Sequence, residues 1–510
     1  MSKQTATRVR GRWAFALAGF ASAAVLFAVA QFMAAFFANS SAPLVAMGAV
    51  FIDLTPSWLK DFAIATFGTN DKLALFISMG VVAAIGSLLI GLLARRHFAL
   101  ATGAIVVIAW AIGGAVLSRP DTGLVDLTPT ILGAVAGLVT LKLLVASAAK
   151  AWHLDPEQAP AQGASRRNFM VGTAVAVVGA AVAAGVGKSL STVRNAADTA
   201  RSALGLPSAK VLADAPPAGA QVDLSGMPKF ITPNKDFYRI DTALSVPRID
   251  PSEWSLRVHG MVEEEFTISF DELLALDLVE TYLTLTCVSN PVGGQLVGNA
   301  KWLGYPLRQL LERAVPKQGA DMVLSTSSDG FSASTPLEVL TDDRMALLAV
   351  GMNEEPLPLE HGFPVRMVVP GLYGYVSATK WVVDLEVTRF EDKMGYWTTR
   401  GWSDHGPIKL SSRVDVPRSF ASVPAGKVTL GGTAWAQTKG ISKVQVQIDD
   451  EDWKDAELAT EASVDTWRQW RYDWKGGSPG NHTVTVRAVD GEGNVQTSDK
   501  ADPVPDGASG

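Results

Sequence analysis

Apolar residues run almost unbroken through much of the first ~190 positions, and from about residue 222 they alternate with polar ones. A helix needs roughly 20 apolar residues to cross a bilayer. Runs of that length predict spans at Trp13–Phe37, Leu73–Ala94, Phe98–Leu117, Leu127–Ala149 and Phe169–Gly187. Between the first two, "PSWLKDFAIATFG" mixes polar and apolar positions and reads as an interfacial amphipathic segment. Beyond residue 222 the period changes to two. "KVTLGGTAWAQ", "ISKVQVQIDD", "WRQWRYDWKG" and "NHTVTVRAVDGEGNVQTS" read as strands punctuated by Gly, Asn and Asp turns. Their hairpin spacing predicts an Ig-like β-sandwich over residues 423–510. Residues 222–422 mix such strands with short helices, "SFDELLAL" and "PLRQLLERA", and read as an α+β domain. The expected architecture is therefore a membrane-helix region (1–188), an Ala/Ser/Pro-rich tether (189–221), the α+β domain and the sandwich.

Charge orients the membrane part. "TRVRGR" precedes the first span, "ARRH" follows the second and "SRR" precedes the fifth, so five crossings put all three basic clusters on one side. Basic loops favour the cytoplasm. Everything after Lys188 then faces outward, a multi-pass protein with an extracytoplasmic domain; four crossings would leave that domain inside. "SRRNFM" followed by an Ala/Val/Gly run resembles a twin-arginine export signal, although Arg166 and Arg167 also serve as ordinary basic flanks. "GVGKSL" is no phosphate loop, because Val182 stands where its first glycine is required.

Composition narrows the chemistry. A net charge of −6 and the lack of a basic stripe argue against nucleic acid. A mean hydropathy of +0.19 alongside 18% charged residues fits a membrane part joined to a water-facing one. With 1 cysteine in 510 residues, neither a disulfide nor a CxxC metal site can form within the chain. That cysteine, Cys287, ends a β-rich run and precedes "VSNPVGG", whose glycines permit close approach of backbone to a ligand. Buried filler, a reactive thiol paired with His361 or His405, and a metal ligand all remain open on these grounds. A metal held through one protein sulfur would need a cofactor to supply its other ligands.

Three separated motifs in order resemble the sulfite oxidase family of molybdenum enzymes. "C…GN…W.G" is met by Cys287, Gly298, Asn299, Trp302 and Gly304; "LPLEHGFPVRMVVPGLYGYVSATKW" and "TPNKDFYRIDTALSVP" are the others. The resemblance implies a pyranopterin dithiolene (molybdenum–molybdopterin) cofactor with Cys287 as the protein ligand to the metal. It also implies a cofactor site at Asn234, Phe237, Tyr238, Arg239, His361, Arg366, Ser377 and Lys380, with Arg239 helping to hold an oxyanion. Sulfite oxidases carry "RNH" where this chain has "RID", a departure from the family pattern beside the residue expected to hold sulfite. "GYWTTRGWSDHGPIK" offers Tyr396, Trp397, Arg400, Trp402 and His405 as wall residues. By the same resemblance the reaction is oxo transfer to or from a small oxyanion or a sulfoxide, methionine sulfoxide reduction being the alternative, and the sandwich mediates a homodimer.

Neither "HPGG" nor "CxxCH" occurs, and His97 is the sole histidine of residues 1–150. No haem is expected in this chain, and electrons are expected to pass to or from a separate partner or a quinone. The reading from another class is a non-catalytic cell-surface binding protein in which Cys287 only fills the core.

Overall fold

The computed structural model describes residues 11–37, 41–56, 59, 62, 66–67, 71–119, 122–152, 159–193, 196–424, 426–476 and 479–510. Most of "TRVRGR" and of the interfacial segment lie outside these. The chain divides into two compact units, residues 1–195 with 243–246, and residues 196–242 with 247–510.

Among the described residues of the first unit, 5 segments are long and apolar enough to cross a membrane: Arg12–Ala34, Lys72–Ala94, Phe98–Leu117, Leu124–Trp152 and Ser165–Val186. The last lies within a longer helix, Ala159–Val193. A shorter apolar helix, Pro43–Leu54, follows the first span. Arg12–Ala34 is the hub, packed against three of the other long helices. A Cβ on Gly19 would sit 2.1 Å from the Ser87 carbonyl oxygen, so Arg12–Ala34 and Lys72–Ala94 meet backbone to backbone. Small residues at such crossings allow close van der Waals contact between helices. At one end of the bundle, Trp13, Trp152 and Phe169 pack edge to face. The Arg166 guanidinium lies 5.6 Å from the Trp152 ring and that of Arg95 5.6 Å from Phe15. Basic residues flanking separate helices thus gather at one end. At the other, Arg119 pairs with Asp53 at 2.8 Å.

The second unit holds two five-stranded sheets on a shared core, followed by two smaller ones. In the first sheet β2 (Phe266–Ser269), β1 (Ser255–Gly260), β10 (Val382–Thr388), β5 (Met322–Ser327) and β6 (Ser332–Pro336) lie in that order. In the second, β3 (Val279–Thr286), β4 (Val297–Pro306), β7 (Leu347–Met352) and β8 (Glu355–Pro356) follow one another, and β9 (Arg366–Val368) also pairs with β7. "SFDELLAL" becomes the helix Phe270–Leu274, capped by Ser269 and Glu272 in a reciprocal box. "PLRQLLERA" becomes Leu307–Ala314, which buries Leu307, Leu310, Leu311 and Ala314 on one face.

The C-terminal region is all β, as the alternation predicts. A four-stranded sheet runs β11 (Ser411–Val416), β12 (Val428–Trp435), β16 (Arg468–Trp474), β15 (Glu457–Leu458), and a three-stranded one runs β14 (Lys454–Asp455), β13 (Ile441–Ile448), β17 (Val484–Asp490). Leu430, Val444, Val446, Trp470 and Ala488 from both sheets form one core. This region also braces β3, since the Gln437 amide donates to the Thr284 carbonyl at 2.7 Å and the Trp467 N–H to Thr284 Oγ1 at 2.8 Å.

Residues 196–221, a tether by composition, are instead fastened to the second unit. Arg201 Nε donates to the Leu357 carbonyl at 2.8 Å, the Lys210 N–H donates to Leu278 at 2.7 Å, and Val211 bridges Val279 in parallel. Ala/Pro-rich sequence does not show whether a sheet edge is available to pair with its backbone.

Candidate active site

β3 and β4 form an antiparallel pair running from Val279↔Gly304 to Thr286↔Val297, and the loop between them starts with Cys287. The Cys287 N–H donates to Leu296 at 2.9 Å, fixing the cysteine where the strands part. Its thiol is buried. Burial pushes its pKa up, against smaller opposing hydrogen bonds from the Ser289 backbone and side chain. A deprotonated sulfur here needs a cation beside it, and a bound metal supplies one.

A cleft of about 920 Å³, open mouth included, lies over this sulfur. Phe237, Tyr238, Cys287, His361, Arg366 and Lys380 all line it. Three stretches spread over more than a hundred residues of sequence thus meet in one place. Phe237 anchors the first stretch, stacked on Tyr238 at 5.3 Å and edge-on to Trp302 and His361 at 6.0 and 5.6 Å. A Cβ on Gly298 would lie 2.8 Å from the Phe237 ring, which explains glycine at that point of β4. Asn299 ties the same stretch down from behind, its amide donating to the Phe230 carbonyl at 3.0 Å.

His361 and Arg366 flank Gly362, whose φ of +113° and 2.9 Å clearance from Arg366 Cβ exclude a side chain. β9 bridges Arg366 to Lys380, which sets the two cations side by side. Arg366 is 5% exposed. Its guanidinium donates only to the carbonyls of Met367, His361 and Ala378, at 3.3, 3.1 and 3.3 Å, and lies 5.2 Å from the Trp302 ring. Burial brings its pKa down to about 10. Buried cations are normally paired, so this one is built to face an anion. Lys380, brought down to about 8 mainly by burial, meets Asp241 at 2.7 Å. His361 Nε2 faces the Asn234 carbonyl at 3.2 Å and so carries the ring proton. Burial, reinforced by Arg366 and Lys380, lowers its pKa to about 4 and keeps it neutral near pH 7. Burial likewise raises Tyr238, with the nearby Cys287 adding to the shift and Arg366 opposing it.

Three expected site residues lie elsewhere. Asn234 is spent on backbone and Asn353, its Nδ2 donating to Met352 at 3.2 Å and its Oδ1 accepting from Asn353 at 2.8 Å. The Ser377 hydroxyl donates to the Tyr373 carbonyl at 3.0 Å and is fully buried in a short helix. Arg239 is not among the lining residues; its Nε donates to Asp241 Oδ2 at 2.9 Å. Gly293 and Gly294 serve the turn of the Cys287 loop and line no part of the cleft. Of the aromatic segment, Trp397 and Trp402 reach the cleft, whereas His405 stacks on Phe390 at 4.6 Å. Asp241, Asp329, Phe331 and Tyr375 line it without having stood out in the sequence. The "RID" departure was the signal for Asp241.

Among the described residues, no group of three or more His, Cys, Asp or Glu side chains is arranged to hold a metal ion. A metal at Cys287 must therefore arrive with ligands of its own.

Comparison with known proteins accounts for this arrangement. Residues 243–397 match the family model described as an oxidoreductase molybdopterin binding domain. Chicken sulfite oxidase is 30% identical over 315 residues, covering 52% of this chain and 68% of that protein. Mouse mitochondrial sulfite oxidase is 29% identical over 319 residues, 52% of this chain and 57% of its own length, so the chain spans little more than half of that relative. The uncharacterized oxidoreductase YuiH of Bacillus subtilis is 34% identical over 160 residues, 31% of this chain and 76% of YuiH.

Proposed function

The chain belongs to the sulfite oxidase family of molybdopterin-binding oxidoreductases, and from that premise we propose that it is a membrane-anchored enzyme moving an oxygen atom to or from a small oxyanion or a sulfoxide. The observation that carries this reading is the pairing, in one cleft, of a buried lone sulfur at Cys287 with the buried guanidinium of Arg366, which meets only carbonyls. These residues fit the cofactor. A soft thiolate suits a metal already bound to sulfur, and a planar guanidinium suits a phosphate. When bound, the cofactor supplies the two-electron oxygen-transfer chemistry.

The protein supplies the rest. Cys287 offers the metal its sulfur, held in place by the β3–β4 register and the bond to Leu296. Arg366 takes the phosphate, and neutral His361, its one N–H held by the Asn234 carbonyl, offers a flat face without adding charge. Phe237, Tyr238, Trp397 and Trp402 wall the cleft, narrowing access by water. Asn234 and Ser377 act at one remove, shaping the backbone that carries these groups. Arg239, held at the rim by Asp241, meets incoming substrate.

The five long apolar helices support anchoring, and outward-facing apolar side chains such as Val82 (70% exposed) and Trp110 (81%) suit lipid. The clustering of basic residues at one end supports a cytoplasmic face there and an outward-facing enzyme unit, and the "SRRNFM" run supports a twin-arginine role for Arg166 and Arg167. Electrons pass to or from a separate partner or a quinone, and the Ig-like C-terminal sandwich joins two copies.

Cys287→Ala tests the catalytic core. Turnover of sulfite with ferricyanide and of a sulfoxide with reduced viologen should both vanish while the circular dichroism spectrum is kept. A fully active Cys287→Ala enzyme would refute the assignment.

A further inference from the structure

The charges facing the cleft belong to Asp241, Asp329, Arg366 and Lys380. Arg366 is the cation answered only by carbonyls, and the cofactor phosphate neutralises it under the function proposed above. Lys380 is already matched. Its Nζ lies 2.7 Å from Asp241 Oδ2, with side-chain exposures of 9% and 4%. The same oxygen accepts from Arg239 Nε at 2.9 Å, and Arg239 is 42% exposed at the rim. One buried carboxylate thus holds both Lys380 and, at the rim, Arg239, leaving one positive charge among the three. Asp329 accepts the Phe331 N–H at 3.1 Å and has no cation partner among the described residues. A dianion entering the cleft meets cations already held by Asp241 and a further carboxylate in Asp329, so the charges of Arg239, Lys380, Asp241 and Asp329 sum to zero and offer it no net attraction, a balance that counts for more in a partly desolvated cleft than in water. The walls offer Phe331, Tyr375, Trp397 and Trp402, which suit alkyl groups.

We propose that Asp241 is a specificity-determining residue: by holding Arg239 and Lys380 on one carboxylate, with Asp329 balancing the charge that remains, it makes the cleft accept a neutral alkyl sulfoxide in preference to a dianionic oxyanion. In that direction the S–O bond breaks, two electrons from the external reductant and two protons are consumed, and thioether and water leave. The inference rests on the oxo-transfer reading and adds the substrate class to it.

The test uses the full-length, molybdenum-loaded protein as wild type, Asp241→Asn and Asp241→Glu. Sulfate binding is followed by tryptophan fluorescence at constant ionic strength. In parallel, kcat/KM is compared for sulfite with ferricyanide and dimethyl sulfoxide with reduced benzyl viologen. Wild type should favour the sulfoxide and show no saturable sulfate binding. Asp241→Asn should bind sulfate and raise the sulfite-to-sulfoxide ratio of kcat/KM by about tenfold or more, a shift of about 1.4 kcal/mol. Asp241→Glu, which keeps the charge, should resemble wild type. An unchanged ratio and unchanged sulfate binding in Asp241→Asn, or a wild type that prefers sulfite, overturns the proposal. If Asp241→Asn does not fold, the wild-type preference and sulfate titration decide alone. A molybdenum-loaded wild type inactive on both substrates would count against the oxo-transfer reading, and the sulfate titration would still judge Asp241.

Discussion

Arg366 and His361 answer to different costs of burial. In the cofactor-free protein Arg366 is a desolvated charge facing only carbonyls. Burying a single ion costs several kcal/mol even after relaxation. Arg366→Met should therefore raise the stability of the cofactor-free protein by about 1–2 kcal/mol while abolishing molybdopterin retention; thermal melting and metal analysis would show the opposite signs. His361 titrates near 6.5 when unfolded and about 4 when folded. Above pH 6.5 neither state is protonated there and its contribution is complete. As pH falls from 6.5 toward 4 the unfolded chain takes up a proton that the folded chain refuses, so stability drops, by about 3 kcal/mol in all. Melting the cofactor-free protein between pH 7 and 4.5 should show this slope, and His361→Gln should flatten it. The residue chemistry was legible where the motif was local: Cys287, His361, Arg366 and Lys380 fall in short recognisable runs. Asp241's partnership with Lys380 was not, because 139 residues separate them and only the fold brings them together.

The β3–loop–β4 hairpin carries the site, and its geometry depends on what β4 lacks. Gly298 leaves room for the Phe237 ring, and a methyl group there would meet it at 2.8 Å. Gly298→Ala should cost about 1–3 kcal/mol through overpacking and lower molybdenum content by displacing the Phe237–Tyr238 wall, measurable by melting temperature and metal analysis on the same preparation. Period-two alternation made these strands readable, and helix caps and amphipathic spacing made the short helices readable. The Cys287 loop was harder. Its glycines suggest a ligand in sequence, whereas in the fold Gly293 adopts φ +75° to close the turn. Residues 196–221 misled in the same way, since hydrogen bonding to the edge of β3 leaves no mark on composition.

In the whole molecule, five apolar helices and an enzyme unit sit in one chain, and the positions of the spans were legible within a few residues because length and hydropathy are local properties. Which face each unit meets depends on flanking charge. A C-terminal alkaline phosphatase fusion should be active and a C-terminal GFP fusion dark. Replacing Arg166 and Arg167 by lysine keeps the charge and should stop export of the phosphatase; continued export would leave the pair as mere basic flanks. X-ray absorption at the molybdenum edge on full-length protein made with ample molybdate tests the central claim most directly. The account predicts about one molybdenum per chain, bound by one more sulfur in wild type than in Cys287→Ser. A folded protein without molybdenum, or a sulfur count unchanged by the substitution, would contradict it.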